Sequence, residues 1–124
     1  MSGWTPEELA RIGRTDEIGI SSRRPDGTLR PFVTIWAVRL GDDVYVRSAY
    51  GPDNPWFVRA LASGDGRIRA GGVERDVAFE VPEREIGAAL HAAYHSKYDR
   101  FGPAIVGTVV TDDAARSTLR LVPR

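Results

Sequence analysis

Arg47-Ser48 ends an alternating apolar segment and is followed by Gly51 and then Asn54-Pro55, the order expected where a strand passes through a short loop into a helix. A helix N-terminus presents N–H groups without intrahelical partners and the positive end of the helix dipole, and a glycine in the preceding loop lets the backbone come close to an anion. Arg47 adds a charged fork and Ser48 a hydroxyl. The chemistry suggested is the holding of a phosphate. From these residues alone a solvated Arg47 and a plain connector is the simpler account, since short loops before capped helices are common.

A second basic feature is the stretch Ser22-Arg23-Arg24-Pro25-Asp26-Gly27-Thr28-Leu29-Arg30, which brings three arginines to one hairpin end. Were Arg30 and Arg47 on neighbouring strands, the two could grip one anion; a solvated basic loop balanced by Asp26 explains the residues equally well. His91 and His95 stand four apart, a metal-binding spacing on a helix, but no glutamate completes the metalloprotease motif and no carboxylate is placed to fill the ligand set. They read as helix-surface histidines, and no metal is expected. Tyr94 and Tyr98 share a helical face with Lys97 alongside; they serve as core aromatics, or as a lid over a planar ligand that supplies stacking and a hydroxyl donor.

Composition narrows the field. The chain has 124 residues, enough for one self-sufficient core, and the whole of 1–124 reads as a single domain. Seventeen basic residues balance seventeen acidic ones, so no global field favours nucleic acid or an anionic membrane. There is no cysteine, hence no disulfide frame, thiolate ligand or thiol nucleophile, and no serine lies in a nucleophile-elbow sequence. No apolar run approaches the ~20 residues needed to span a bilayer, and Met1-Ser2-Gly3-Trp4-Thr5 lacks the pattern of a secretory leader, so a cytoplasmic location is the default expectation.

The elements that must position these residues follow from pattern. Thr5-Pro6-Glu7-Glu8 carries a capping box with proline at the first helical position, predicting a helix that ends near Gly13. Ile18 and Ile20 alternate with small or polar residues in a half-buried strand, and Arg24-Pro25-Asp26-Gly27 turns the chain. The return strand, residues 31–40, is apolar on both faces, with Val33, Ile35 and Ala37 on one and Phe32, Trp36 and Val38 on the other, so it must be covered twice. Gly41-Asp42-Asp43 leads into Val44-Tyr45-Val46-Arg47-Ser48, where Val44, Val46 and Ser48 face one way and Tyr45 and Arg47 the other. Asn54 caps a second helix with Leu61 on its buried side, closed by Gly64 and Gly66. Strands at 67–70 and 73–79 pair through Gly71-Gly72, a helix spans about 83–98 with Ile86, Leu90 and Tyr94 buried, and Leu119-Arg120-Leu121-Val122 is a last strand. The fold class expected is α+β, a six-stranded antiparallel split β-barrel with peripheral helices.

In this order the elements resemble the FMN-binding split-barrel superfamily. The strand followed by Arg24-Pro25-Asp26-Gly27-Thr28-Leu29-Arg30, the long apolar strand, Val44-Tyr45-Val46-Arg47-Ser48-Ala49-Tyr50-Gly51 and Asn54-Pro55-Trp56-Phe57 are similar to the deazaflavin-dependent nitroreductases. Across nearly the whole chain, Ala93-Tyr94, Lys97-Tyr98 and the closing 119–124 included, the sequence resembles a bacterial domain family of unknown function in that superfamily.

The resemblance implies a homodimer that binds FMN or the deazaflavin coenzyme F-420. Cofactor-binding residues would be Arg24, Arg30, Arg47, Ser48, Ala49, Tyr50, Gly51, Asn54, Trp56 and Phe57, with Ser48, Tyr94 and Tyr98 as donors to substrate or ring. Ala49 and Tyr50 stand where the nitroreductases carry a lysine and a second glycine. The activity implied is reduction of a small conjugated substrate, a quinone or nitro compound, by hydride transfer. Such a cofactor supplies the redox chemistry, so no cysteine or triad is needed. The other readings are a non-enzymatic barrel that binds flavin, haem or a lipophilic ligand, and a barrel that has lost its cofactor.

Overall fold

A computed structural model of the chain describes residues 3–49, 51–83 and 86–124. Helix α1, Pro6–Arg14, begins with the capping box expected: Thr5 Oγ1 accepts from Glu8 N at 3.1 Å, and Glu8 Oε1 accepts from Thr5 N at 2.9 Å. Its Leu9 and Ile12 are buried against the sheet, a contribution of about 1.5–3 kcal/mol each.

Seven strands follow the alternations: β1 Ile18–Ser22, β2 Val33–Ile35, β3 Ala37–Leu40, β4 Asp43–Arg47, β5 Asp65–Ala70, β6 Val73–Glu80 and β7 Thr118–Pro123. All pair antiparallel in one sheet of order β2-β1-β5-β6-β7-β4-β3. The two edges, β2 and β3, are halves of the single strand expected across 31–40, joined through Trp36. One segment thus supplies both edges, and the sheet curls into a nearly closed barrel. Counted as one bent strand it restores the six expected.

The break at Trp36 has a cause. The Trp36 ring stacks on Tyr98 with centroids 3.9 Å apart and planes 2° from parallel, and Ala37 N donates to the Tyr98 hydroxyl at 3.1 Å. The double covering expected of 31–40 holds for its second half, where Ala37 joins the barrel interior and Val38 and Trp36 join an outer cluster under a helix; in the first half Val33 is 38% exposed.

The interior holds Val44, Val46, Ile68, Val77, Leu119 and Leu121, capped by Trp56 and Phe57 of helix α2, Pro55–Ser63. Leu61, expected on the buried side of α2, is 51% exposed. Trp56 and Ala60 form the stripe that faces the barrel, and Leu61 lies about 100° further round from Ala60. Asn54 sits at the N-cap, but its amide does not cap; Nδ2 donates to Ala49 O at 3.4 Å instead. Gly64, with φ +79°, ends the helix, and Gly66 belongs to β5 rather than to the helix end. A Cβ on Gly66 would lie 1.8 Å from Ser21 O, so only glycine permits this approach of β5 to β1.

The outer cluster is built by helix α3, Gly87–Tyr98, whose Leu90, Tyr94 and Tyr98 pack on Val38 and Tyr45. Of the expected span 83–98, Glu83 is not helical and Arg84 and Glu85 lie outside the described residues. A 3₁₀ turn, Asp99–Phe101, and two short helices, α4 Pro103–Val106 and α5 Asp112–Arg116, carry the chain back to β7. No helix among the described residues is long and apolar enough to cross a membrane.

Candidate functional site

Beside β2, between that edge strand and α2, two hollows adjoin. The smaller, about 110 Å³, is lined by Ser22, Arg30 and Arg59; the larger, about 370 Å³, by Trp36, Arg47, Ala49, Asn54, Ile105 and Thr108. Val33 and Trp56 belong to both, so the two form one groove with a basic end and an aromatic one.

At the basic end, Arg30 is fixed by its backbone N, which donates to Ser22 O at 3.0 Å, while its Nε is buried with no hydrogen-bond partner among the described residues. A buried guanidinium donor without an acceptor is costly, and a bound anion removes the cost. Arg59 lines the same hollow from α2. It lies three residues after Trp56, on the face that meets the groove, a spacing that could have been read from the sequence. The other hairpin arginines turn elsewhere. Arg23 pairs with Asp76 at 3.0 Å, and Arg24 Nη1 donates to Leu29 O at 2.9 Å, bracing the turn.

At the other end Arg47 is 2% exposed rather than solvated. Nε donates to Thr118 Oγ1 at 3.0 Å, Nη1 to Val109 O at 2.9 Å and Nη2 to Gly87 O at 3.4 Å; His91 Nδ1 lies 2.7 Å from Nη1. Burial lowers the Arg47 pKa from its ordinary value, but an arginine keeps its proton at neutral pH. Burial, and then the Arg47 charge, lower the His91 pKa, so the imidazole is neutral and Nδ1 accepts from the guanidinium. His95 turns instead to Asp99, with Nδ1 2.7 Å from Oδ1, so the two histidines do not converge.

Arg30 and Arg47 do not grip a common point. Arg30 precedes β2, Arg47 ends β4, and β4 is flanked by β7 and β3. The loop between β4 and α2 is wound on itself: Ser48 Oγ donates to Gly51 O at 2.6 Å and Ser48 N to Ser117 O at 3.0 Å. Gly51 has φ +99°, and a Cβ there would come within 3.1 Å of Asp113 Cβ, so a side chain would push the loop off α5.

Of the residues expected at the site, Arg30, Arg47, Ala49, Asn54 and Trp56 line the groove. Ser48 and Gly51 shape the loop, and Phe57, part of the barrel core, stands edge-on to Trp56 with ring centroids 6.0 Å apart. Tyr50 lies outside the described residues. Tyr94 and Tyr98 are fully buried; the Tyr98 hydroxyl donates to Asp16 O at 2.6 Å, and the Tyr94 hydroxyl makes no hydrogen bond of good geometry among the described residues. Burial raises both phenol pKa values, so both stay neutral.

The sequence profile of one bacterial family, described as "Uncharacterized protein conserved in bacteria (DUF2255)", matches residues 8–121. The chain belongs to this family. No curated protein is significantly similar in sequence. Solved structures share the fold. A conserved hypothetical protein from Mycobacterium tuberculosis superimposes with a TM-score of 0.66 at 14% identity, over 98% of this chain and 81% of that one. An F-420 reductase gives 0.55 at 15% identity, covering 93% and 90%. The heme storage protein HutZ of Vibrio cholerae gives 0.62 at 14% identity, covering 96% and 89%. At these identities the likeness is one of fold, the split barrel.

Proposed function

We propose that the groove beside β2 binds a phosphate-bearing flavin or deazaflavin, FMN or coenzyme F-420, and that the protein reduces a small conjugated substrate, a quinone or nitro compound. The observation that carries the reading is the Arg30 Nε, a buried donor without an acceptor at one end of an aromatic-walled groove. Arg30 and Arg59 hold the phosphate as two charged forks. Trp36 and Trp56 wall the larger hollow, whose volume of about 370 Å³ falls in the usual range of about 300–1,000 Å³ for small-molecule sites. Ala49 and Asn54 supply backbone and amide contacts at its edge, and Arg47 places a positive charge in its inner wall.

The bound cofactor supplies hydride transfer; the chain binds, orients and excludes water. Ser48 contributes by holding the loop shut, and Tyr94 and Tyr98 by fixing α3 behind Trp36. An F-420 reductase and a heme storage protein having this fold are compatible with both an enzyme and a carrier.

The partner we infer is a second copy of the chain. Val58 and Leu61 project from the outer face of α2 and Val33 from β2, an exposed apolar row beside the groove. Light scattering should give twice the chain mass.

Titration with FMN and with oxidised and reduced F-420 tests the binding. Binding to at least one is expected, weakened about tenfold or more in Arg30→Ala. Binding to none overturns the reading. Turnover of a quinone or nitro compound then separates an oxidoreductase from a carrier, since a carrier binds without turnover.

A further inference from the structure

Across Arg47 from the groove lies a second cleft, about 550 Å³, between the start of α3 and α5. Its walls are apolar, with Val81, Ile86, Leu90 and Ala115; its polar lining includes Arg47, Gly87 and Thr118. Arg47 is a full positive charge, 2% exposed, and among the described residues every group to which it is hydrogen-bonded is uncharged: a hydroxyl, two backbone carbonyls and a neutral imidazole. Buried charges are ordinarily paired with an opposite one.

The guanidinium is shared unequally between the two sides. Nη1 turns to Val109, which lines the groove; Nε and Nη2 turn to Thr118 and Gly87, which line the second cleft. With Nε holding its single N–H on Thr118, the Nη2 end can bind a carboxylate in a charge-assisted hydrogen bond. Its bond to Gly87 O, at 3.4 Å, is the longest that Arg47 makes and the most readily exchanged.

We propose that this cleft binds a monocarboxylate with an apolar body, its carboxylate paired with Arg47 and its chain laid on Ile86, Leu90 and Ala115. The charges around the mouth set the valence. Among the described residues, Glu83, Asp112 and Arg116 are exposed there, and Arg116 is paired with Asp113. Two carboxylates at the entrance disfavour a dianion such as phosphate. Being exposed they are screened, and a monoanion passes to the buried charge. The inference goes beyond the groove's cofactor and does not depend on it.

Octanoate, octanol and inorganic phosphate titrated by calorimetry into the full chain test it. Octanoate should bind about tenfold or more tightly than octanol, the margin of a charge-assisted pair, and phosphate should not displace it. Ala115→Phe fills the cleft from a half-buried position on a short helix and should lose octanoate binding while melting like the wild type. Arg47→Lys keeps the charge but loses the Nη2 donor and should weaken binding. The proposal is overturned if octanoate and octanol bind alike, if octanoate does not bind, if phosphate displaces it, or if Ala115→Phe binds it as the wild type does. Should Arg47→Lys fail to fold, Ala115→Phe and the octanol comparison still decide.

Discussion

Replacing Tyr98 by Phe removes one oxygen from the point where the barrel's bent strand breaks. The ring remains and so should the stacking on Trp36, whose centroid is 3.9 Å away. What goes is an acceptor for Ala37 N at 3.1 Å and a donor to Asp16 O at 2.6 Å; Ala37 O keeps its bond from Lys97 Nζ at 2.7 Å. Ala37 is fully buried, so its N–H is left without a partner, at about 1–3 kcal/mol, and the lost bond to Asp16 adds about 0.5–1.5 kcal/mol. Urea denaturation should show a loss of roughly 1.5–4.5 kcal/mol, a large part of the 5–15 kcal/mol typical of a domain. Tyr94→Phe is the control on the same helix. Its hydroxyl is buried without a well-formed hydrogen bond among the described residues, so its removal should be neutral or stabilising by about 1 kcal/mol. A Tyr98→Phe loss below about 0.5 kcal/mol, or a Tyr94→Phe loss larger than that of Tyr98→Phe, would refute the assignment of the strand break to the Tyr98 hydroxyl.

Gly66→Ala places a methyl 1.8 Å from Ser21 O and should separate β5 from β1, seen as lost amide-exchange protection at residues 19–22 and a lowered melting temperature. The His91 pKa lies below its ordinary 6.5 in the folded protein, so the unfolded chain takes up this proton first as pH falls. The His91 contribution to stability is therefore complete above the unfolded value, declines as pH falls from there through the folded value, and then levels. His91→Gln should flatten that part of a stability–pH curve. Lys97 is the chain's one lysine, and burial, with Arg100 adding and Asp16 opposing, brings its pKa down to about 8. Selective ¹⁵N-lysine labelling should give one side-chain resonance titrating near there, and stability should rise with pH between about 8 and the ordinary 10.5, where the unfolded chain holds the proton longer. A midpoint above 10 would show the ammonium to be solvated.

What could be read in the sequence was what depends on near neighbours. The capping box at Thr5 and Glu8, the opposite facing of Tyr45 and Val46, and the buried Leu90 and Tyr94 need only local pattern. The break at Trp36 could not be read, because strand propensity continues through it and the hydroxyl that receives Ala37 N comes from Tyr98, 61 residues on. The burial of Arg47 was hidden for the same reason: Gly87, His91, Val109 and Thr118 surround it from other elements. At the site, the strand-loop-helix order announced the groove's Ala49, Asn54 and Trp56, while the separation of Arg30 from Arg47 follows from strand order in the closed sheet. Helix α5 did carry a local signal, since Thr111 Oγ1 accepts from Ala114 N at 3.0 Å as a helix cap. Leu61 misled because a short helix shows only one stripe to the barrel, and Phe57 lies at its margin.

The claim at the centre is that the basic end of the groove recognises phosphate. It is tested most directly by comparing the affinity of FMN with that of riboflavin, and of F-420 with that of its deazaflavin ring alone, in the wild type and in Arg30→Ala. For the cofactor that binds, the phosphate-bearing form should be favoured about tenfold or more in the wild type, and the preference should collapse in Arg30→Ala. Equal affinity for the two forms, or a phosphate preference that survives the loss of Arg30, would contradict it.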